Sequence, residues 1–348
     1  MKTKIYEING SPTDVEIIKE AGAVIRQGGL VAFPTETVYG LGGDALNAAS
    51  AERIYAAKGR PADNPLIIHL YRVADIEVVA DSVPEVFYRL AEKFWPGPLT
   101  MILKKSRRVP GSTTGGLETV AVRMPDHQTA LSLIDAAGGF VAAPSANSSG
   151  RPSPTIGKYV IEDMNGRIEM ILDGGATRLG LESTIVDLTG LSPEILRPGS
   201  VTKQMLDSII NATINITAEE NNDNQPPRAP GMKYRHYAPK ALMTIVKGPE
   251  SDVIAYINKQ ITIDKNSGLI TGVIAGGQTV EKYIADYVKC IGNRFDEEDI
   301  ARNLYRILRE FDDEITGVIY SEAFSEEGIG QAIMNRLMKA ASYRVIEL

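Results

Sequence analysis

The residues able to do chemistry in this chain lie in five short segments at predicted strand ends. The first, PTETVYGLGG (34–43), follows an apolar run with hydroxyls and then with glycines, whose bare backbone lets N–H groups approach a ligand closely. An ordinary β-turn with polar filler accounts for it equally well. No Gly-Lys-Ser/Thr follows, so it is not a Walker loop. The second, KGRPADNP (58–65), joins a helix end to the strand that holds His69. Lys58 suits the negative end of the helix dipole. Arg60 is flanked by a glycine and held by prolines, as a guanidinium is when it must meet phosphate or carboxylate oxygens. His69 has apolar neighbours, so a satisfied core histidine is the default and a ligand contact the alternative.

The third segment, GGLETVAVRMP (115–125), ends a strand with Arg123 before a proline. The fourth, AAPSANSSGRPSPT (142–155), is dense in small donors, including Ser145, Asn147 and Ser153. Such a composition usually means a flexible linker, but here it lies in mid-domain between strands, where binding loops are commoner than tethers. The fifth pairs LESTIVD (181–187) with LRPG (196–199): a hydroxyl enters one strand and Arg197 leaves the next. Cations, hydroxyls and amides converging in an acidic chain point to one anionic, hydrogen-bond-rich ligand. Three histidines and one cysteine leave no HExxH, no CxxC pair and no zinc site, and no G-x-S-x-G elbow occurs. Arg, Lys and hydroxyls suit phosphoryl or nucleotidyl transfer, where positioning and charge stabilisation carry most of the rate.

The elements that must hold these groups are short apolar runs alternating with amphipathic stretches, the pattern of an α/β domain. Strands are expected at 29–33, 66–70, 99–103, 119–123, 139–143, 170–172, 184–188 and 195–196, with helices at 15–27, 48–58 and 83–94. The turn Trp95-Pro96-Gly97-Pro98 must end the last of these helices. A polar stretch, 218–230, has no aliphatic residue larger than alanine and reads as a linker. Beyond it, strands at 242–246, 269–275 and 317–320 and helices at 253–260, 280–288, 300–311 and 330–341 suggest a small Rossmann-like parallel-sheet domain. Its glycine cluster, Gly276-Gly277, lacks the dinucleotide spacing. The expected organisation is therefore a catalytic domain over 1–212, a linker or lid over 213–240 and a smaller domain over 241–348.

With 348 residues, 43% of them hydrophobic and 23% charged, the chain has the composition of a globular protein of about two domains. A net charge of −7, acidic in both halves, argues against nonspecific coating of nucleic acid or membranes. The single cysteine, Cys290, suits a reducing compartment. No signal-like or membrane-spanning run is visible, so a cytoplasmic protein without a membrane partner is expected.

Taken together, PTETVYGLG (34–42), KGRPADNPL (58–66), WPGPLT (95–100), APSANSSGRPSPT (143–155), ESTIVD (182–187) and LRPG (196–199) resemble the YrdC-type threonylcarbamoyl-AMP synthase family. APGMKYRHYAP (229–239), followed by an α/β domain, is similar to the longer two-domain form. The resemblance implies a twisted mixed sheet with helices around a concave anion-binding cavity. It also implies a nucleotidyltransferase that makes threonylcarbamoyl-AMP and pyrophosphate from L-threonine, bicarbonate and ATP, for threonylcarbamoyladenosine in tRNA. Lys58, Arg60, Ser145 and Asn147 match the family's catalytic tetrad. Thr37, His69, Arg123, Ala143 (through its backbone) and Ser183 would hold threonine or its carbamate. Arg60, Asn64, Thr119, Ser145, Ser153 and Arg197 would hold ATP.

Threonine's free amine must attack bicarbonate, and the carbamate oxygen must then strike the α-phosphorus as pyrophosphate leaves. No side-chain base is evident, so cations would align two mutually repelling anions. Mg²⁺ would ride on the ATP phosphates and water, with no metal ligand from protein side chains. The product would pass to the tRNA threonylcarbamoyl-transfer machinery, with weak or no tRNA binding by this chain. The segment 230–239 reads as a lid that brings Tyr234, His236 and Tyr237 to ATP, or else as tyrosines that dock the second domain. Lys58 and Arg60 are expected to lie in a loop, where truncation opens no cavity. Two other readings remain: an RNA-gripping module, disfavoured by the acidic charge, and a carbamoyltransferase of the hydrogenase-maturation type, whose zinc-finger modules are missing here.

Overall fold

The computed structural model describes residues 1–210, 213–217, 227–232 and 237–348. The chain divides into two compact units. Met1–Ser149, Ser153–Arg178 and Glu182–Tyr234 form one, and Gly150–Pro152, Leu179–Leu181 and Arg235–Leu348 form the other. Among the described residues no helix is long and apolar enough to cross a membrane.

The first unit is built on a twisted mixed sheet. Its strands run in the order Lys4–Glu7, Met170–Asp173, Val31–Phe33, Gly40–Asp44, Phe140–Ala143, Ile67–Leu70, Thr119–Arg123, Leu99–Lys105, Thr184–Asp187, Glu194–Arg197 and Asn215–Ile216, with Ala80–Ser82 pairing onto Leu99–Lys105. The pleat sends alternate residues to opposite faces, and both faces are covered. Leu30 and Ala32 join a large core with Ile54, Ile68, Leu70 and Met101, whereas Val31 and Phe33 join a second core with Ile25, Leu133 and Met170. This double burial explains the unbroken apolar runs of the sequence. A third, small cluster consists of Ile67, Ile102, Ala121, Ile185, Leu196 and Ala229, with Met232 against it.

The helix Ala48–Lys58 begins where Asn47 Oδ1 accepts from Ala49 N at 3.0 Å, and it stops at Gly59, whose φ of +62° is left-handed. The expected helix at 83–94 forms as Glu85–Phe94. The sequence predicts a turn at the glycines of 40–43, but Gly40–Asp44 is a strand, antiparallel to Val31–Phe33. Packing is the reason for glycine there. A Cβ on Gly42 would lie 2.8 Å from Val141 Cγ1 and 2.9 Å from Phe33 Cε1.

In the second unit five parallel strands run in the order Tyr287–Gly292, Thr271–Gly276, Val318–Glu322, Leu242–Lys247 and Val345–Glu347. The helix Glu250–Asn266 packs Val253, Ile257 and Ile261 against Val246, Val273 and Ala275. The opposite face carries Gly272, where a Cβ would meet Phe311 of the helix Glu297–Asp313 at 2.6 Å. Helices therefore cover both faces, the Rossmann-like layering. The expected helix at 280–288 is replaced by a 3-10 turn, Val280–Lys282, and the strand Tyr287–Gly292. Asp286 fixes the change, because its carboxylate accepts from both Thr271 N and Thr271 Oγ1 at 2.8 Å and pins the segment to the neighbouring strand.

Candidate active site

Strand register assembles the site. Ile67 pairs with Ala121 and Ala143, and His69 pairs with Arg123, so period-2 alternation puts His69, Arg123 and Ala143 on the face that carries Ile67 and Ala121. Thr119 shares that face but lies four residues, roughly 13 Å, along the strand from Arg123.

Arg123 is buried. Its Nε donates to Gly97 O at 3.1 Å and its Nη1 to Thr37 Oγ1 at 3.1 Å, while Nη2 lies 2.5 Å from Glu36 Oε1 in an ion pair. Thr37 is fixed in turn, since its Oγ1 is 2.8 Å from Thr35 Oγ1, which donates to Val38 O at 2.6 Å. His69 Nδ1 is 3.1 Å from Ile67 O. Burial, reinforced by the Arg123 charge, pushes its imidazole down to about 3, so the ring is neutral at ordinary pH. Ser183 Oγ is 2.7 Å from Thr100 Oγ1 and accepts from Arg197 Nη2 at 3.1 Å, and Arg197 Nη1 donates to Pro230 O at 3.2 Å.

A second group forms where the small-residue loop after Phe140–Ala143 crosses the end of the helix Ala48–Lys58. Lys58 Nζ donates to Ser145 O, to Asn147 O at 2.5 Å and to Asn147 Oδ1 at 3.3 Å. Ser145 Oγ donates to Asn147 Oδ1 at 2.5 Å. The loop is stitched to the glycine strand, with Ala146 N donating to Tyr39 O and Leu41 N to Pro144 O, both at 2.8 Å. Arg60 turns to Asn64, its Nη2 donating to Asn64 Oδ1 at 2.6 Å and to Pro65 O at 3.0 Å. Ser153 Oγ donates to Glu182 Oε1 at 2.6 Å.

The structure thus draws Lys58, Ser145 and Asn147 into one cluster, Arg60 onto Asn64, Thr37 onto Arg123, His69 beside it, and Ser183 onto Arg197. Lys58 is not a loop residue. It ends the helix, is 3% exposed and reaches carbonyls of another loop, so its truncation would remove structural partners. Tyr237 belongs to the second unit, where its ring stacks 5.1 Å from Tyr305 and lies 5.9 Å from the Arg336 guanidinium. Tyr234 and His236 lie outside the described residues. Sequence reasoning missed two acids, Glu36 and Glu182, both buried. The signal was a carboxylate placed among hydroxyls at the end of an apolar strand, where burial requires a partner.

Chemically, the first unit offers a guanidinium, hydroxyls and a neutral imidazole on one sheet face, with a lysine, amide and hydroxyl cluster on the loop beyond it. These are donors suited to carboxylates and phosphates. Among the described residues no three His, Cys, Asp or Glu side chains group to hold a metal.

A family model described as "Telomere recombination" (Sua5, YciO and YrdC) matches residues 23–199, and one described as "Threonylcarbamoyl-AMP synthase, C-terminal domain" matches 201–342. The threonylcarbamoyl-AMP synthase of Pyrococcus abyssi is 49% identical over 95% of this chain and 96% of its own. That of Bacillus subtilis is 44% identical over 99% and 100%. The crystal structure of P. abyssi Sua5 complexed with L-threonine is similar at a TM-score of 0.92 and 46% identity, covering 100% of both chains.

Proposed function

The chain belongs to the two-domain threonylcarbamoyl-AMP synthase family, and from that membership we propose that it joins L-threonine, bicarbonate and ATP into threonylcarbamoyl-AMP. The observation that best supports this is the convergence on the first unit of two kinds of anion site. One is Arg123 with Thr37 and His69, suited to an amino acid carboxylate. The other is Lys58 with Ser145 and Asn147, near Arg60 and Asn64, suited to phosphates.

In the proposed reaction the threonine amine forms a C–N bond to bicarbonate carbon and water leaves. A carbamate oxygen then forms a bond to the α-phosphorus of ATP as the bond to the β-phosphate bridging oxygen breaks, releasing pyrophosphate. Arg123 and Ser183 would fix the amino acid, leaving its nitrogen for attack. Lys58, Arg60 and Arg197 would offset the repulsion between carbamate and triphosphate and stabilise charge on the departing pyrophosphate. Neutral His69 presents the carboxylate with a polar wall and no second cation. Mg²⁺ would come with ATP and neutralise its phosphates. The product would serve threonylcarbamoyladenosine formation in tRNA in the cytoplasm.

The test is pyrophosphate release with each substrate omitted in turn. Release that requires both L-threonine and bicarbonate, with mass detection of the labile adenylate, is expected. Pyrophosphate formed equally well without threonine, or none with all three present, would overturn the reading.

A further inference from the structure

Glu36 is 1% exposed, and neither of its carboxylate oxygens accepts a hydrogen bond among the described residues. Arg123 lies against it, Nη2 standing 2.5 Å from Oε1, and His127 also feels the Glu36 charge. Withdrawing both charges from water is costly, and apolar residues of similar volume often serve stability as well or better. Stability alone is therefore a poor reason for this pair. What the pair does achieve is geometric.

A guanidinium is planar and carries five N–H donors. In Arg123 the Nε side is tied to Gly97 O and one Nη1 hydrogen to Thr37 Oγ1, and Glu36 holds the Nη2 corner by charge without an aligned hydrogen bond. Three contacts in three directions leave the plane little freedom to rotate, while Nη1 keeps a second N–H beyond the one given to Thr37. The Glu36 backbone is set by its neighbours, because Thr35 Oγ1 accepts from Thr37 N at 3.2 Å and donates to Val38 O at 2.6 Å.

We propose that Glu36 is a positioning residue that fixes the Arg123 guanidinium for the carboxylate of threonine, and so sets amino acid affinity without touching the substrate. This rests on reading Arg123 as the threonine carboxylate group. A preset guanidinium loses less freedom on binding than one that must first be ordered. The charge of Glu36 works the other way, since it offsets part of the attraction of Arg123 for an anion. The two effects predict opposite outcomes for its removal, and positioning is the one assigned here.

Calorimetric titration of the full-length protein with L-threonine separates them, using the wild type, Glu36→Gln and Glu36→Ala. Glu36→Gln keeps the shape and an acceptor oxygen, so it tests the site even if Glu36→Ala fails to fold. The expected result is a threonine Kd raised ~10- to 100-fold in Glu36→Ala and by less in Glu36→Gln, with KM for ATP unchanged. Threonine affinity that is unchanged or tighter in a folded variant overturns the proposal, as does a parallel loss of threonine and ATP binding with a lowered Tm. A wild type that binds no threonine would defeat the functional reading itself.

Discussion

Lys58 and Arg60 are two residues apart, yet the protein uses them differently. Lys58 is buried, and its ammonium satisfies the carbonyls of Ser145 and Asn147, whereas Arg60 is half-buried and folds onto Asn64. Lys58→Ala is therefore expected to lower both adenylate formation and thermal stability, each hydrogen bond from the ammonium that is lost costing about 1.5–3 kcal/mol. Arg60→Ala should cost roughly ten- to a hundredfold in pyrophosphate release while the melting temperature hardly moves. Melting curves for the two variants that superimpose would show this division to be wrong. His69 carries a different consequence. Its folded-state pKa, pushed down to about 3, lies well below the ordinary value of roughly 6.5 in an unfolded chain. As pH falls from 6.5 towards 3 the unfolded state takes up a proton that the folded state refuses, so stability falls by up to about 1.4 kcal/mol per pH unit from this group. The urea midpoint of His69→Asn should accordingly change less steeply between pH 6.5 and 4.5 than that of the wild type. Equal slopes would mean that His69 is not the acid-labile group.

At the scale of elements, close backbone contact explains residues that composition leaves ambiguous. Gly199 follows the strand Glu194–Arg197, and a Cβ there would stand 2.5 Å from Thr184 N and 2.9 Å from Glu182 O. Neither backbone atom can swing aside as a side chain can. Gly199→Ala should thus push the Arg197 turn away from Ser183, destabilising the protein by about 1–3 kcal/mol and weakening substrate binding beyond the effect on folding. Chemical denaturation beside KM measurements checks this, and a variant matching wild type in both would show that the turn relaxes freely. The stretch 280–292 makes the complementary point. Its apolar residues Val280, Tyr283, Ile284 and Val288 follow a helical spacing, yet Asp286 and the open edge beside Thr271–Gly276 draw it into a strand. Local periodicity lost to a sheet edge that sequence cannot locate.

The whole molecule is acidic, and that constrains its partners. At a net charge of −7, binding of the isolated protein to tRNA should be weak at physiological salt and should fall steeply as salt is raised, because phosphate contacts supply most of such affinity. Filter binding across a salt series measures it, and tight, salt-resistant binding would revive an RNA-binding reading. The sequence alone determined the two-part α/β organisation and most strands and helices, and it nominated most polar residues of the candidate site, because motifs such as KGRPADNP and APSANSSG carry their own turn chemistry and donor types. Tertiary structure alone decided which of these residues meet. The pairing of His69 with Arg123 follows from strand register, and the joining of Lys58 to Asn147 spans 89 residues of chain. The strand at Gly40–Asp44 was invisible because its glycines answer to Val141 and Phe33, side chains known only once the sheet is assembled. Glu36 was overlooked for the same reason: a carboxylate reads as solvated polarity until burial and a guanidinium at 2.5 Å give it a task.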